Sequence, residues 1–286
     1  MKKLTRDMLS SDIEFATGGD ETRLERYGSK VYSQSDEDGI LREIFNRIGT
    51  TNKVFVEFGA ETGMENNSRL LLETGWRGLW IEGVPEYCAA IRAQYNREIV
   101  TGRLKFVEGF VNSENINQLI SNAGFNGEID FLSVDIDGND YHVYEAIEVV
   151  KPRVLCLEHN HTFPPPEEWV MPYDTEFRWG QQGSEYGASL SSLTRLAGEK
   201  GMTLVGCGLY SANGFYVRND LLGDHFAGPF DPERFFRPLD YEKVVNYPSR
   251  PLDRRERIAR RLSYLTALPA YYFRRFLGKL KSRVAA

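Results

Sequence analysis

Two short runs of acids and histidines stand where chemistry is most readily placed. Ser133-Val134-Asp135-Ile136-Asp137-Gly138-Asn139-Asp140 follows one apolar strand pattern, and Leu157-Glu158-His159-Asn160-His161 ends the next. Ligands of open α/β sheets bind outside the carboxyl ends of the strands, and two such strands side by side would make these runs neighbours. Alternation puts Ser133, Asp135 and Asp137 on one face if the strand continues that far. Carboxylates with an imidazole can hold a divalent ion. Asp135, Asp137, Glu158 and His159 are the candidate ligands, and an oxygen-rich set suits Mg2+ or Mn2+. Alternatively His159 or His161 is a general base that takes the proton of a weakly acidic hydroxyl, with Asp137 beside the reacting atoms. The third reading is that the histidines satisfy loop amides. Asp-Gly-Asn-Asp is also ordinary turn chemistry. That explains Gly138 and Asn139 but not two acids at a strand end. His142, just past this turn, reads as structural.

A second constellation precedes these runs. Val54 to Phe58 is a buried-strand pattern, and Gly59-Ala60-Glu61-Thr62-Gly63 is a small-residue turn. A helix is expected near 66–74, and Gly78 to Ile81 forms a second strand closed by Glu82. Strand, glycine turn, helix, strand and acid is how a parallel sheet holds an adenosine-containing cofactor, with the acid on the ribose roughly 20 residues after the turn. The turn lacks the G-x-G-x-x-G fingerprint. Glu57 and Glu61 beside it oppose the pyrophosphate that a helix N-terminus would otherwise bind. An acid is welcome next to a cation, so S-adenosylmethionine, a sulfonium with no phosphate, fits better than NAD.

Five blocks in order over about residues 30–220 resemble the FkbM-type S-adenosylmethionine-dependent methyltransferases: YSQSDEDGIL, FVEFGAETG, GWRGLWIEG, FLSVDIDGNDYHV and NGFYVRND. The resemblance implies O-methylation of a sugar hydroxyl on a polysaccharide, glycolipid or glycosylated natural product. It implies cofactor contacts from Glu57, Gly59, Glu61 and Gly63 around the amino-acid end, and from Glu82 on the ribose. Gln34 folds over the cofactor, Val111 in Phe110-Val111-Asn112 lies by the adenine, and Asp135 faces the methyl group. Two other functions remain open on the residues: an NAD-dependent sugar oxidoreductase, and a non-catalytic scaffold of a membrane-associated polysaccharide assembly.

The elements that must position these residues follow from the pattern. Strands are expected at 53–58, 78–82, 103–108, 130–135 and 153–158, separated by helical patterns, which means a parallel sheet. Met202 to Cys207 and Gly214 to Arg218 are too close for a crossover helix and form an antiparallel pair. The fold class is therefore α/β: a doubly wound, mostly parallel Rossmann-like methyltransferase sheet with a terminal antiparallel hairpin. Residues 1–50 read as N-terminal cap helices, with Ser35 capping and Asp38 closing a capping box. Residues 51–220 form the catalytic domain, and 221–252 a surface-wrapping extension. The loop from His159 to Gly187 carries Trp169, Trp179 and Tyr186, which can stack on sugar rings.

Charge separates the last part of the chain. Residues 253–286 hold ten Arg or Lys and two acids, net +8, so the other residues carry −14 of the overall −6. An acidic body argues against nucleic acid as a partner. In Tyr271 to Val284 the residues Phe273, Phe276, Leu277, Leu280 and Val284 share one helical face among Arg and Lys, the pattern of an interfacial helix on anionic lipid. No apolar run spans a membrane, and MKKLTRDMLSSDIEF lacks the apolar core of a signal peptide. Three cysteines without a C-x-x-C pair suit free buried thiols. A cytoplasmic protein follows, with its tail on the inner face of the cell membrane. Nothing in the sequence sets an oligomeric state.

Overall fold

A computed structural model of the chain describes residues 6–177, 183–238, 240, 243–244 and 246–266. Trp179 and the tail helix expected over Tyr271 to Val284 lie outside the described residues.

The chain opens with α1 (Arg6–Thr17) and, after a 3-10 turn, α2 (Glu37–Ile48). Then β and α alternate: β1 (Val54–Phe58), α3 (Arg69–Glu73), β2 (Arg77–Glu82), α4 (Pro85–Gln94), α5 (Asn96–Thr101) and β3 (Leu104–Glu108). They continue as α6 (Ile116–Asn122), β4 (Gly127–Val134), α7 (Asp140–Ala146), β5 (Val150–Glu158), α8 (Leu190–Glu199), β6 (Met202–Cys207), β7 (Asn213–Arg218) and α9 (Pro232–Phe235). A further helix, α10, runs over residues 254–266.

One seven-stranded sheet has the order β3-β2-β1-β4-β5-β7-β6. β1 pairs parallel with both β2 and β4, and β4 with β5, while β7 runs antiparallel to β5 and β6. This is the doubly wound, mostly parallel sheet with a terminal antiparallel hairpin that the strand spacing predicts. The order reverses between β1 and β4, so their carboxyl ends diverge into a crevice.

Period-two alternation divides the core between the two faces. Val54, Val56, Phe58, Leu79, Ile81, Leu132 and Leu155 pack with α6, α7 and α8. Phe55, Trp80, Phe131, Val154 and Phe215 pack with α2, α3 and α4, where Ile40, Leu41, Ile44, Leu71 and Ile91 meet them. At the amino end of the sheet, buried Asp130 accepts the backbone amides of Thr51, Asn52 and Lys53 at 2.9, 2.9 and 2.6 Å and pairs with Arg153 at 2.7 Å. These bonds fix where β1 starts, and hence where its far end delivers Glu57 and Gly59.

The expected capping box at α2 is not formed. The Asp36 N-cap makes no side-chain cap bond, and the Ser35 hydroxyl donates to the carbonyl of Tyr210 at 2.8 Å. Asp38 instead accepts the amides of Val31, Tyr32 and Ser33 at 2.7, 2.6 and 2.9 Å. The acids of this run tie the preceding loop to the domain rather than serve the helix end. All three cysteines are buried free thiols.

Candidate active site

The turn after β1 is built around Glu57. Its carboxylate is buried and accepts the Asn67 amide at 2.9 Å, the Ser68 amide at 3.1 Å and the Ser68 hydroxyl. These amides lead into α3, where a dinucleotide fold would seat a pyrophosphate; here the chain's own carboxylate occupies them. Burial holds the Glu57 carboxyl above its usual range, and these donors pull it back. Gly59 has φ 68°, and a Cβ there would lie 1.7 Å from the Asp135 carbonyl oxygen. The ends of β1 and β4 are thus in backbone contact, which only glycine permits. Gly63 sits behind the turn, away from the cavity: its carbonyl accepts the Tyr95 hydroxyl, and a Cβ would strike the Tyr95 ring at 2.6 Å.

Glu82 ends β2 at the crevice. It accepts the amides of Glu61, Gly83 and Val84 at 2.7, 2.8 and 2.7 Å. A carboxylate offers about four acceptor sites, so capacity for a hydroxyl remains. Beside it, the Phe110 ring lies over Gly83, where a Cβ would meet it at 2.4 Å. Phe110 is half exposed, and with Val84, Tyr87, Gly109 and Val111 it lines an apolar slot next to Glu82.

β4 ends at Val134, short of Asp137. Strand alternation therefore does not carry Asp137 to the site. A turn does: Asp137 has φ 58°, and Asp140 accepts the amides of Ile136 and Gly138, both at 2.8 Å. The outcome for the acids is nonetheless convergence. Asp135, Asp137 and Glu158 offer oxygens within 4.8 Å of one another. Burial, then repulsion from Asp140, Glu61 and Glu82, raises the Asp137 carboxyl to about 6. Burial, then repulsion from Asp137 and Asp140, pushes Asp135 well above the usual carboxylate range; burial, then repulsion from Asp135, Asp140 and Asp137, does the same to Glu158, which shares a hydrogen bond with Asp135. Crowded, desolvated carboxylates with raised affinity for protons have the same reason to hold a cation. Three oxygen donors of this kind fit Mg2+ or Mn2+.

The histidines are placed elsewhere, and the expected metal set shrinks to three carboxylates. One residue beyond Glu158, alternation turns His159 to the opposite side, where its amide donates to the Ala212 carbonyl at 2.8 Å and its ring lies 6.0 Å from Phe236. Burial lowers His159 to about 4 and also lowers His161. Neither residue lines the cavity. His142 is structural, with Nε2 2.9 Å from the Met171 carbonyl and its ring edge-on to Tyr141 and Tyr173.

The cavity measures about 530 Å3 and also takes in Gln34, Glu37, Asn66, Asn139, Thr175, Phe177 and Asn213. Glu37 and Asn213 escape a sequence reading because one looks like a helix-start acid and the other like a strand start. The Asn213 amide donates to Glu37 at 3.3 Å, and Asn213 stands opposite Glu158 in the β5–β7 register. The loop after β5 contributes through Phe177, which lies against Gly138, and is pinned by the Asn139 amide donating to the Asp174 carbonyl at 2.7 Å. Trp169, expected to stack on a sugar ring, stacks on Phe163 instead, with ring centroids 4.2 Å apart. Among the described residues, eight carboxylates and no Lys, Arg or His line this space. The buried Asn66 side chain faces the Glu57 carboxyl and helps to lower its proton affinity.

No family model and no curated protein matches the chain. Among solved structures, an O-methyltransferase from Bacillus cereus in complex with SAH is 16% identical, over 74% of this chain and 90% of that one, with a TM-score of 0.43. The glycopeptide N-methyltransferase MtfA complexed with S-adenosyl-L-methionine is 13% identical over 65% and 93%, with a TM-score of 0.40. The N-terminal domain of EvdMO1 with SAH bound is 14% identical over 73% and 94%, with a TM-score of 0.39.

Proposed function

We propose that the chain is an S-adenosylmethionine-dependent O-methyltransferase acting on a sugar hydroxyl, with a divalent cation held by Asp135, Asp137 and Glu158. The observation that carries this reading is the lining of eight carboxylates without one cationic side chain among the described residues. Such a space suits a ligand that brings positive charge and rejects a diphosphate. NAD is disfavoured a second time, because Glu57 already takes the amides that lead into α3.

S-adenosylmethionine supplies a methyl group activated by its sulfonium, and a divalent cation would make a neighbouring hydroxyl more acidic. Glu82 holds the ribose hydroxyls, and Phe110 with Gly83 covers the adenine. The Asn66 amide, which lines the cavity beside Glu57, receives the amino-acid end. Bound there, S-adenosylmethionine would give its methyl group to the acceptor oxygen, its sulfur keeping the electron pair of the broken carbon–sulfur bond, and the carboxylate oxygen of Asp137 left free by the cation would take the hydroxyl proton. Alignment and exclusion of water contribute the rest.

Two measurements test this. Calorimetric titration should give micromolar binding of S-adenosylmethionine and none of NAD. Labelled-methyl transfer to glycans of cell-envelope extracts should be abolished by EDTA and restored by Mg2+ or Mn2+. Equal affinity for NAD would favour the oxidoreductase, and silence with both cofactors the scaffold. Transfer indifferent to EDTA would remove the cation from the proposal.

A further inference from the structure

Helix α10 has one side committed to the protein. Glu256 and Ser263 are buried. Glu256 pairs with Arg250 at 2.6 Å, Arg260 with Glu73 at 3.0 Å, and the Tyr264 carbonyl accepts from Arg97 at 2.7 Å. The opposite side exposes three large apolar side chains: Ile258 (50%), Leu262 (56%) and Leu265 (54%). Their spacing of four and three residues makes one stripe along the helix. At about 100° per residue, Arg254 and Arg261 fall on one flank of that stripe and Arg255 on the other. All three arginines are exposed, and the helix's ion pairs belong mainly to Glu256 and Arg260 on the packed side.

We infer that this stripe seats the protein on an anionic lipid surface. An apolar strip rimmed on both flanks by cations is what the boundary between headgroups and acyl chains selects, the leucines entering and the arginines meeting phosphates. Charge fixes the orientation. Residues 1–252 carry a net −14 and are repelled by such a surface, whereas 253–286 carry +8. The chain beyond the helix adds Arg274, Arg275, Lys279, Lys281 and Arg283 and no acid, so the attraction continues past the described residues. α10 also adjoins the cavity wall: Arg260 donates to the Tyr32 hydroxyl at 3.1 Å, two residues before cavity-lining Gln34. The inference does not depend on the methyl-transfer reading.

The test uses the full chain with vesicles of phosphatidylcholine alone and vesicles containing one part in three, roughly, of phosphatidylglycerol. Co-sedimentation should be strong on the anionic vesicles, weak on the neutral ones, and reduced by salt as exposed charges are screened. The triple change I258S/L262S/L265S should lower partitioning on anionic vesicles about tenfold or more, since three apolar side chains no longer leave water. R254Q/R255Q/R261Q should lower it comparably while leaving the neutral vesicles unaffected. Because all six positions are exposed, both variants should melt with the wild type. Wild-type binding by both variants, or no vesicle binding by the wild type, overturns the proposal. So does a wild-type dimer in sedimentation velocity that I258S/L262S/L265S converts to monomer, which would make the stripe a subunit interface; a monomer in both supports the lipid assignment.

Discussion

At Asp137 burial, then neighbouring carboxylates, work against the ionised form in the folded protein, where the backbone is also left-handed (φ 58°). Its carboxyl titrates near 6 when folded, against an ordinary 3.8. Below about pH 4 both folded and unfolded chains are protonated there, and nothing is lost. Between about 4 and 6 the folded state holds a proton that the unfolded state has released, so stability falls as pH rises, with the full penalty present above 6. Asp137→Asn removes that penalty. The variant should be more stable than wild type at pH 7 by roughly 1–3 kcal/mol in denaturant melts with EDTA and no cofactor, and the advantage should fade near pH 4. Methyl transfer should collapse in the same variant. A variant less stable at pH 7 would mean that the carboxylate has a favourable partner in the folded protein. At Glu82 the test is affinity. Glu82→Gln turns an amide NH2 toward the amides of Glu61, Gly83 and Val84 and should weaken S-adenosylmethionine binding by about 1–3 kcal/mol in calorimetry. Unchanged affinity would take Glu82 out of cofactor recognition.

Between elements, the decisive contact is β1 against β4 at Gly59. A methyl group there would overlap the Asp135 carbonyl at 1.7 Å, on top of the strain of φ 68°. Gly201 has a similar φ of 75° but open space around it. Gly201→Ala should therefore cost only the left-handed strain, about 1–2 kcal/mol. Gly59→Ala should cost more than about 3 kcal/mol in urea melts, because backbone must move and the acids with it. Equal losses at the two positions would show that the strand ends part without resistance. Strands and helices were legible in the sequence because each strand is an apolar run on a sheet buried on both sides. The runs 53–58 and 103–108 fall within a residue of β1 and β3. Side-chain direction past a strand's end was less legible. His159 follows Glu158 onto the wrong side, and Asp137 arrives by a turn that Asp140 holds. Glu37 looked like a charge for the helix end, yet it reaches Asn213, 176 residues away. Contacts of that separation leave no local pattern.

Over the whole molecule, the charge asymmetry of the C-terminal region was legible, and the packing of its helix was not. From charge alone, the basic extension reads as an appendage whose removal after Pro251 costs lipid binding but neither the fold nor cofactor binding. α10 argues otherwise for its own residues. It lies along a groove lined by Leu70, Leu71 and Trp76, and it supplies the partners of Arg250 and Glu73. Two truncations separate the packed part from the rest. Ending the chain after Thr266 removes five basic residues and none of these contacts. Its melting temperature should stay within about 2 °C of wild type. Ending it after Pro251 exposes the groove and strands Arg250 and Glu73. Stability should fall by about 1–3 kcal/mol. The sheet and the cavity should survive, because no residue of α10 lines the cavity. Calorimetric melts of the two proteins, followed by S-adenosylmethionine titration of each, decide the matter. If the shorter protein melts like the longer one, the helix only leans on the domain. If it does not fold at all, α10 is a structural part of the domain, and the exposed apolar stripe belongs to the protein's body rather than to a detachable tail.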